Sequence, residues 1–178
     1  MKNLLKRLAN VKLVAFDFDG IMTDGFVYVD YKERESVRCS RKDGMGIKML
    51  KEAGIKVVVI STERNLVVLA RCKKLNIECV QGVDTGKDKL DVLKDFLSKH
   101  NLSQKEVCYV GDDINDIECL DFAEVGITVA DGNEENKKNA DYITERNGGN
   151  HAVREICDLI LKSRKEDKSN GNANDKIR

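Results

Sequence analysis

Short β-branched runs alternating with amphipathic stretches predict an α/β fold: a doubly wound, Rossmann-like parallel sheet with helices on both faces and a β-hairpin after the first strand. Three observations carry this. Val11–Phe16, Ile55–Ile60 and Val107–Val110 are almost wholly apolar, as strands buried on both faces must be. Each ends on polar side chains: Asp17 and Asp19, then Ser61, then Asp112 and Asp113. Between them lie segments of helical period, and parallel neighbours need such crossovers.

The first strand is followed by a turn, Gly20 to Gly25, and by two β-prone runs, Phe26–Asp30 and Glu35–Cys39, which read as the hairpin. Asp43 is expected to cap a helix over Gly44–Ala53 that Gly54 closes. After the strand ending at Ser61 come a helix over Asn65–Leu75, a short strand at Glu78–Val80 and a longer helix over Lys87–His100. The Val107–Val110 strand is followed by a helix near Asn115–Phe122, a strand near Val125–Val129, a short helix near Glu134–Asn139 and a strand at Tyr142–Ile143. A last helix, Asn150–Lys162, buries Val153, Ile156, Leu159 and Ile160 on one face. From Ser163 the composition turns polar. The domain therefore spans 1–164, with 165–178 expected to be a disordered tail.

Composition narrows the function classes. The 178 residues suit one domain, and 31 basic against 31 acidic residues leave no overall field for nucleic acid. Aromatics are only 5%, with no basic stripe. The six cysteines form no C-x-x-C pair and read as small buried hydrophobes in a reducing compartment, so the expected location is cytoplasmic. The basic start at Met1–Leu8 lacks a signal-peptide core, and no apolar run is long enough to span a bilayer. The complete absence of proline has no physical account.

If the three strands are neighbours, their terminal side chains share one sheet edge. Like charges about 4 Å apart repel by about 4 kcal/mol at an effective dielectric near 20, so clustered carboxylates call for a divalent cation. Oxygen-only ligands point to a hard ion, Mg2+. Phosphate chemistry follows, because an aspartate approaches a phosphate dianion only with a cation between them. Lys89 supplies a further positive charge. Taken singly, Lys89 reads as a solvated helix lysine and Ser61 as a helix cap.

Asp17-x-Asp19 with Thr23-Asp24-Gly25, then Ser61, then Lys89, then Gly111-Asp112-Asp113-x-x-Asp116 resemble, in order, the four motifs of the haloacid dehalogenase superfamily of phosphotransferases. The resemblance implies that Asp17 attacks phosphorus to form an aspartyl-phosphate while Asp19 protonates the leaving alkoxide and later activates water. It implies Mg2+ held by Asp17, Asp112 and the backbone carbonyl of Asp19, phosphoryl oxygens held by Ser61 and Lys89, and supporting roles for Asp113 and Asp116. The intervals between Asp19 and Ser61 and between Ser61 and Lys89 are too short for an inserted cap domain.

The capless pattern, the hairpin and Asn147-Gly148-Gly149 before Ala152-Val153-Arg154-Glu155 resemble the group containing 3-deoxy-manno-octulosonate 8-phosphate phosphatase. That group implies a homotetramer built on the hairpins, with a neighbouring subunit closing the site. Thr62-Glu63-Arg64, with Arg71 and Lys74, resembles its nonulosonate 9-phosphate branch, in which an acidic residue and downstream basic residues contact the sugar acid. As plain side chains, all three are solvated helix charges. Asn150-His151 likewise departs from the Arg-Gly usual in the octulosonate enzymes. The favoured substrate is accordingly a nonulosonate 9-phosphate, with the octulosonate 8-phosphate as alternative. The rivals from other classes are a phospho-acceptor signalling domain and a non-catalytic oligomerisation module.

Overall fold

The computed structural model describes residues 2–84 and 86–174, the side chains of 86, 87 and 168–174 excepted. Eight strands and seven α-helices follow one another as α1 (Lys2–Ala9), β1 (Leu13–Phe16), β2 (Val27–Val29), β3 (Glu35–Val37), α2 (Arg41–Glu52), β4 (Lys56–Ile60), α3 (Leu66–Leu75), β5 (Glu78–Val80), α4 (Gly86–Lys99), β6 (Val107–Val110), α5 (Ile117–Phe122), β7 (Val125–Thr128), α6 (Glu134–Asn139), β8 (Tyr142–Ile143) and α7 (Ala152–Asn174). Six strands form one sheet in the order β5-β4-β1-β6-β7-β8, every neighbouring pair parallel. The chain leaves β1 toward β4 and β5, then returns across it to β6, β7 and β8. The winding reverses beside β1, and the carboxyl end of that strand opens on the crevice where such sheets bind ligands.

Side chains of β1 alternate between the two covers. Val14 and Phe16 pack with Leu8 of α1, Ile47 and Leu50 of α2, Val68 of α3 and Ile156 and Ile160 of α7, while Leu13 and Ala15 pack with Leu93 and Leu97 of α4 and Leu120 of α5. Every residue of β1, β6 and β7 is buried, which is why these strands read as continuous apolar runs.

The hairpin lies outside the sheet. β2 and β3 pair antiparallel with Val27 opposite Val37, and Phe26, Tyr28 and Tyr31 are 74%, 68% and 89% exposed.

Several local expectations change. α1 is an additional element that buries Leu4 and Leu8, one turn apart. The cap of α2 is Ser40, not Asp43: Ser40 Oγ accepts from the Lys42 and Asp43 amides, and the helix starts early enough to put Asp43 in its first turn. There Asp43 Oδ1 accepts from the Arg154 amide and joins α2 to the start of α7. The helix expected near Asn115 divides into a 3-10 turn at Ile114–Asp116, capped by Asp113, and α5. α7 continues in backbone past Lys162 to Asn174, and residues 175–178 of the polar tail lie outside the described residues. All six cysteines are free thiols.

Candidate active site

The registers bring the three strand ends together. Phe16 lies opposite Val59 on one side and Val110 on the other, so the residues that follow, Asp17, Ser61 and Gly111–Asp113, leave the sheet along the same edge. The Asp17 amide donates to the Val110 carbonyl at 2.8 Å, which holds Asp17 on the neighbouring strand.

Lys89, from the first turn of α4, is fully buried there. Its Nζ donates to Asp17 Oδ1 at 3.0 Å and to Asp116 Oδ1 at 2.8 Å. Tyr109 donates its hydroxyl to the same Asp116 oxygen at 2.7 Å. Asp116 Oδ2 accepts from the Asp112 and Asp113 amides at 3.1 and 3.4 Å. Asp116 is thus fully engaged in holding Lys89 and the loop. An ammonium carries three donors, so these two bonds leave one N–H of Lys89 over.

Asp112 differs. Its Oδ1 is buried with no hydrogen-bond partner among the described residues, and a ligand oxygen from each of Asp17, Asp112 and Asp116 falls within 4.8 Å of the others. Burial, then the charges of Asp116 and Asp113, push the Asp112 carboxyl up to about 7. Burial, then the charge of Asp116, holds Asp17 well above the usual carboxylate range although Lys89 pulls it down. On Lys89, burial opposes the ammonium, but Asp17 and Asp116 outweigh it and its pKa is raised. A buried oxygen without a donor, facing another carboxylate in an all-oxygen set, suits a hard divalent cation held by Asp17 and Asp112.

Asp19 stands at the mouth. Its Oδ1 accepts from Thr23 Oγ1 at 3.2 Å, and that hydroxyl in turn accepts from the Gly20 and Gly25 amides. Burial leads in raising the Asp19 carboxyl, with the charges of Glu63 and Glu35 adding to it. The turn that aims Asp19 needs glycine: Gly20 has φ +71°, and a Cβ there would collide with the Asp112 carboxylate. A second glycine buttresses it from outside, since a Cβ on Gly148 would strike the Gly20 carbonyl. Ser61 is buried and its Oγ accepts from the Glu63 amide at 3.1 Å, leaving its O–H to donate outward.

A family model for haloacid dehalogenase-like hydrolases matches residues 71–157, the stretch holding Lys89, Asp112 and Asp116. The 3-deoxy-D-manno-octulosonate 8-phosphate phosphatase KdsC of Salmonella typhi is 32% identical over 159 residues, covering 89% of this chain and 84% of that protein. The chain belongs to the haloacid dehalogenase superfamily. It falls within the capless group that contains those phosphatases, and it is a phosphoric monoester hydrolase. KdsC of Yersinia pestis is 33% identical over 160 residues, with the same coverage. Among solved structures, the Moraxella catarrhalis 3-deoxy-D-manno-octulosonate 8-phosphate phosphatase, in complex with magnesium ion, phosphate ion and KDO, superposes with TM-score 0.89 at 34% identity, covering 97% of this chain and 98% of its own. The cobalt-bound Haemophilus influenzae enzyme gives 0.83 at 28% identity, covering 89% and 92%.

The remaining candidate residues lie elsewhere or are already engaged. Asp113 is exposed and caps the Ile114 amide. Glu63 Oε1 accepts from the Arg64 and Asn65 amides at 2.6 and 2.9 Å. Arg71 donates Nη2 to the Ser40 carbonyl at 2.7 Å, and Lys74 is exposed on α3. Tyr109 is a site residue that sequence reasoning did not single out, and Gly148, noted only within the Asn147-Gly148-Gly149 motif, was given no part in the site. For Tyr109 a signal existed: period two in β6 puts it on the α4 face, where a phenol needs a buried partner.

Proposed function

We propose that this hydrolase acts on 3-deoxy-D-manno-octulosonate 8-phosphate, with Mg2+, through a phosphoryl group carried transiently on Asp17. The observation that supports it most is the Asp17–Lys89–Asp116 chain beside the unpartnered Asp112 oxygen, in a chain aligned nearly end to end with a magnesium- and KDO-containing structure of that enzyme. Asp17 and Asp112 would hold the ion, which supplies the positive charge that lets a carboxylate approach a dianionic ester.

A carboxylate oxygen of Asp17 forms a bond to phosphorus as the ester oxygen leaves, and protonated Asp19 gives that oxygen its proton. Asp19 then takes a proton from water, whose oxygen attacks phosphorus and releases inorganic phosphate and the Asp17 carboxylate. The free N–H of Lys89 and the Ser61 hydroxyl stabilise the phosphoryl oxygens. The retained acidic groups favour this enzyme over a non-catalytic module.

The nonulosonate 9-phosphate preference keeps one observation in its support, the charge of Glu63 felt at Asp19. Against it, Glu63 and Arg71 spend polar atoms within the chain. Turnover with Mg2+ on both sugar phosphates tests the choice. Preference for the octulosonate ester by tenfold or more in kcat/KM is expected, and the reverse preference would replace it with the nonulosonate reading.

The exposed aromatic hairpin supports a homotetramer in which hairpins pack together and a neighbouring subunit covers the site. The free thiols support a cytoplasmic location. No described helix is long and apolar enough to cross a membrane.

A further inference from the structure

Asp112 and Asp113 are held through their backbone as much as through their side chains. Both of their amides donate to Asp116. Their carbonyls are reached from the segment around α6: the Asn133 amide donates to the Asp112 carbonyl at 2.7 Å, and Asn136 Nδ2, at 2.8 Å, shares the Asp113 carbonyl with the Asp116 amide at 2.9 Å. Every backbone polar group of the two residues therefore has a fixed partner, and two of those partners, Asp116 and Asn136, are side chains.

Asn136 is fully buried, and its Oδ1 has no hydrogen-bond partner among the described residues. An asparagine inside a helix is a weak helix former, and a buried oxygen without a donor is destabilising. Leucine has nearly the same branched shape and would remove that oxygen. Packing alone thus gives no reason for an amide at this position. What the amide contributes, and leucine cannot, is a second N–H on the Asp113 carbonyl, one that ties this loop to α6 and with it sets the direction of the adjoining Asp112 carboxylate.

We infer that Asn136 is a positioning residue for divalent-cation binding: it holds the Asp112–Asp113 backbone so that the unpartnered Asp112 oxygen is set before an ion arrives. The inference rests on the reading of Asp17 and Asp112 as the cation site. Partners that orient ligands from behind commonly change metal affinity by 10–100-fold when lost.

The test is Mg2+ binding to the metal-free protein by titration calorimetry, alongside its thermal midpoint. In Asn136→Leu, Mg2+ is expected to bind about tenfold or more weakly while the midpoint stays within a few degrees of wild type or rises. Asn136→Ala should show the same loss of affinity with a lower midpoint. Asn139→Ala, which removes a bond to the Glu135 carbonyl on the same short helix, should leave Mg2+ affinity unchanged. A folded Asn136→Leu protein with wild-type Mg2+ affinity would overturn the inference, and so would failure of both Asn136 variants to fold, because the residue would then be structural. If wild type itself binds no Mg2+, it is the cation-site reading that fails.

Discussion

Replacing Lys89 with methionine keeps an unbranched side chain one atom shorter and removes the positive charge that sits between Asp17 and Asp116. Each ion pair, at 3.0 and 2.8 Å, amounts to about 5–6 kcal/mol of attraction at an effective dielectric of 20. The net loss is smaller, because an abandoned carboxylate takes up a proton rather than remain buried and charged. Protonating a carboxyl of ordinary pKa near 4 at pH 7 costs about 4 kcal/mol, which bounds the penalty for one group and agrees with the 3–5 kcal/mol typical of broken buried pairs. The penalty must then depend on pH. A carboxyl whose folded pKa is raised destabilises the fold above its unfolded pKa, and this is relieved as pH falls. Between pH 7 and pH 5 the cost of protonation drops by about 2.7 kcal/mol. Chemical denaturation of metal-free Lys89→Met and wild type should give a stability difference of about 3–5 kcal/mol at pH 7, shrinking by about 2–3 kcal/mol at pH 5. A difference below 1 kcal/mol at pH 7, or one unchanged at pH 5, would refute the reasoning. Phosphatase activity should fall by about a thousandfold, the scale for losing a buried charged donor.

Further outcomes follow from the same geometry. With the Asp112 carboxyl lifted to about 7, the metal-free fold loses stability as pH rises from about 4 toward 7, so the thermal shift on adding Mg2+ should be larger at pH 8 than at pH 5. Asp112→Asn should abolish that shift. Gly148→Ala should lower both thermal midpoint and kcat, because the added carbon strikes the Gly20 carbonyl beneath Asp19; unchanged kcat would show the buttress to be dispensable. Tyr28→Glu should shift the mass in light scattering toward the monomer and lower kcat/KM, while a wild-type mass would remove the hairpin from assembly.

The strands that carry the site were legible because parallel strands covered on both faces tolerate almost nothing but apolar residues, and their polar ends therefore stand out. Asp17 and Asp112 could be named from sequence because their charges end runs that burial otherwise keeps apolar, whereas Lys89, a plain helix lysine by itself, could be named only from its place among the ordered motifs. The misplaced cap at Asp43 has a local cause: Ser40, three residues earlier, caps the Lys42 and Asp43 amides and starts the helix before Asp43, and only the packing of α7 shows what Asp43 does instead. α1 escaped because eight residues, several of them charged, are too few for its three leucines to establish a period. Glu63 and Arg71 could be proposed for substrate contact from charge and spacing, but a sequence does not display the Arg64 and Asn65 amides and the Ser40 carbonyl that they also engage. Asn136 and Gly148 contribute through contacts distant in the chain, with the Asp113 carbonyl and the Gly20 carbonyl; no local pattern marks Asn136, and the Asn147-Gly148-Gly149 motif does not show what Gly148 supports.

The account stands on Asp17 as the phosphoryl acceptor. Acid quenching during turnover of 3-deoxy-D-manno-octulosonate 8-phosphate with Mg2+, followed by peptide mass spectrometry, reads this directly. Phosphate should be found on the peptide containing Asp17, and be absent when Asp17→Asn is treated alike. Phosphate on a different residue, or full turnover by Asp17→Asn, would contradict it.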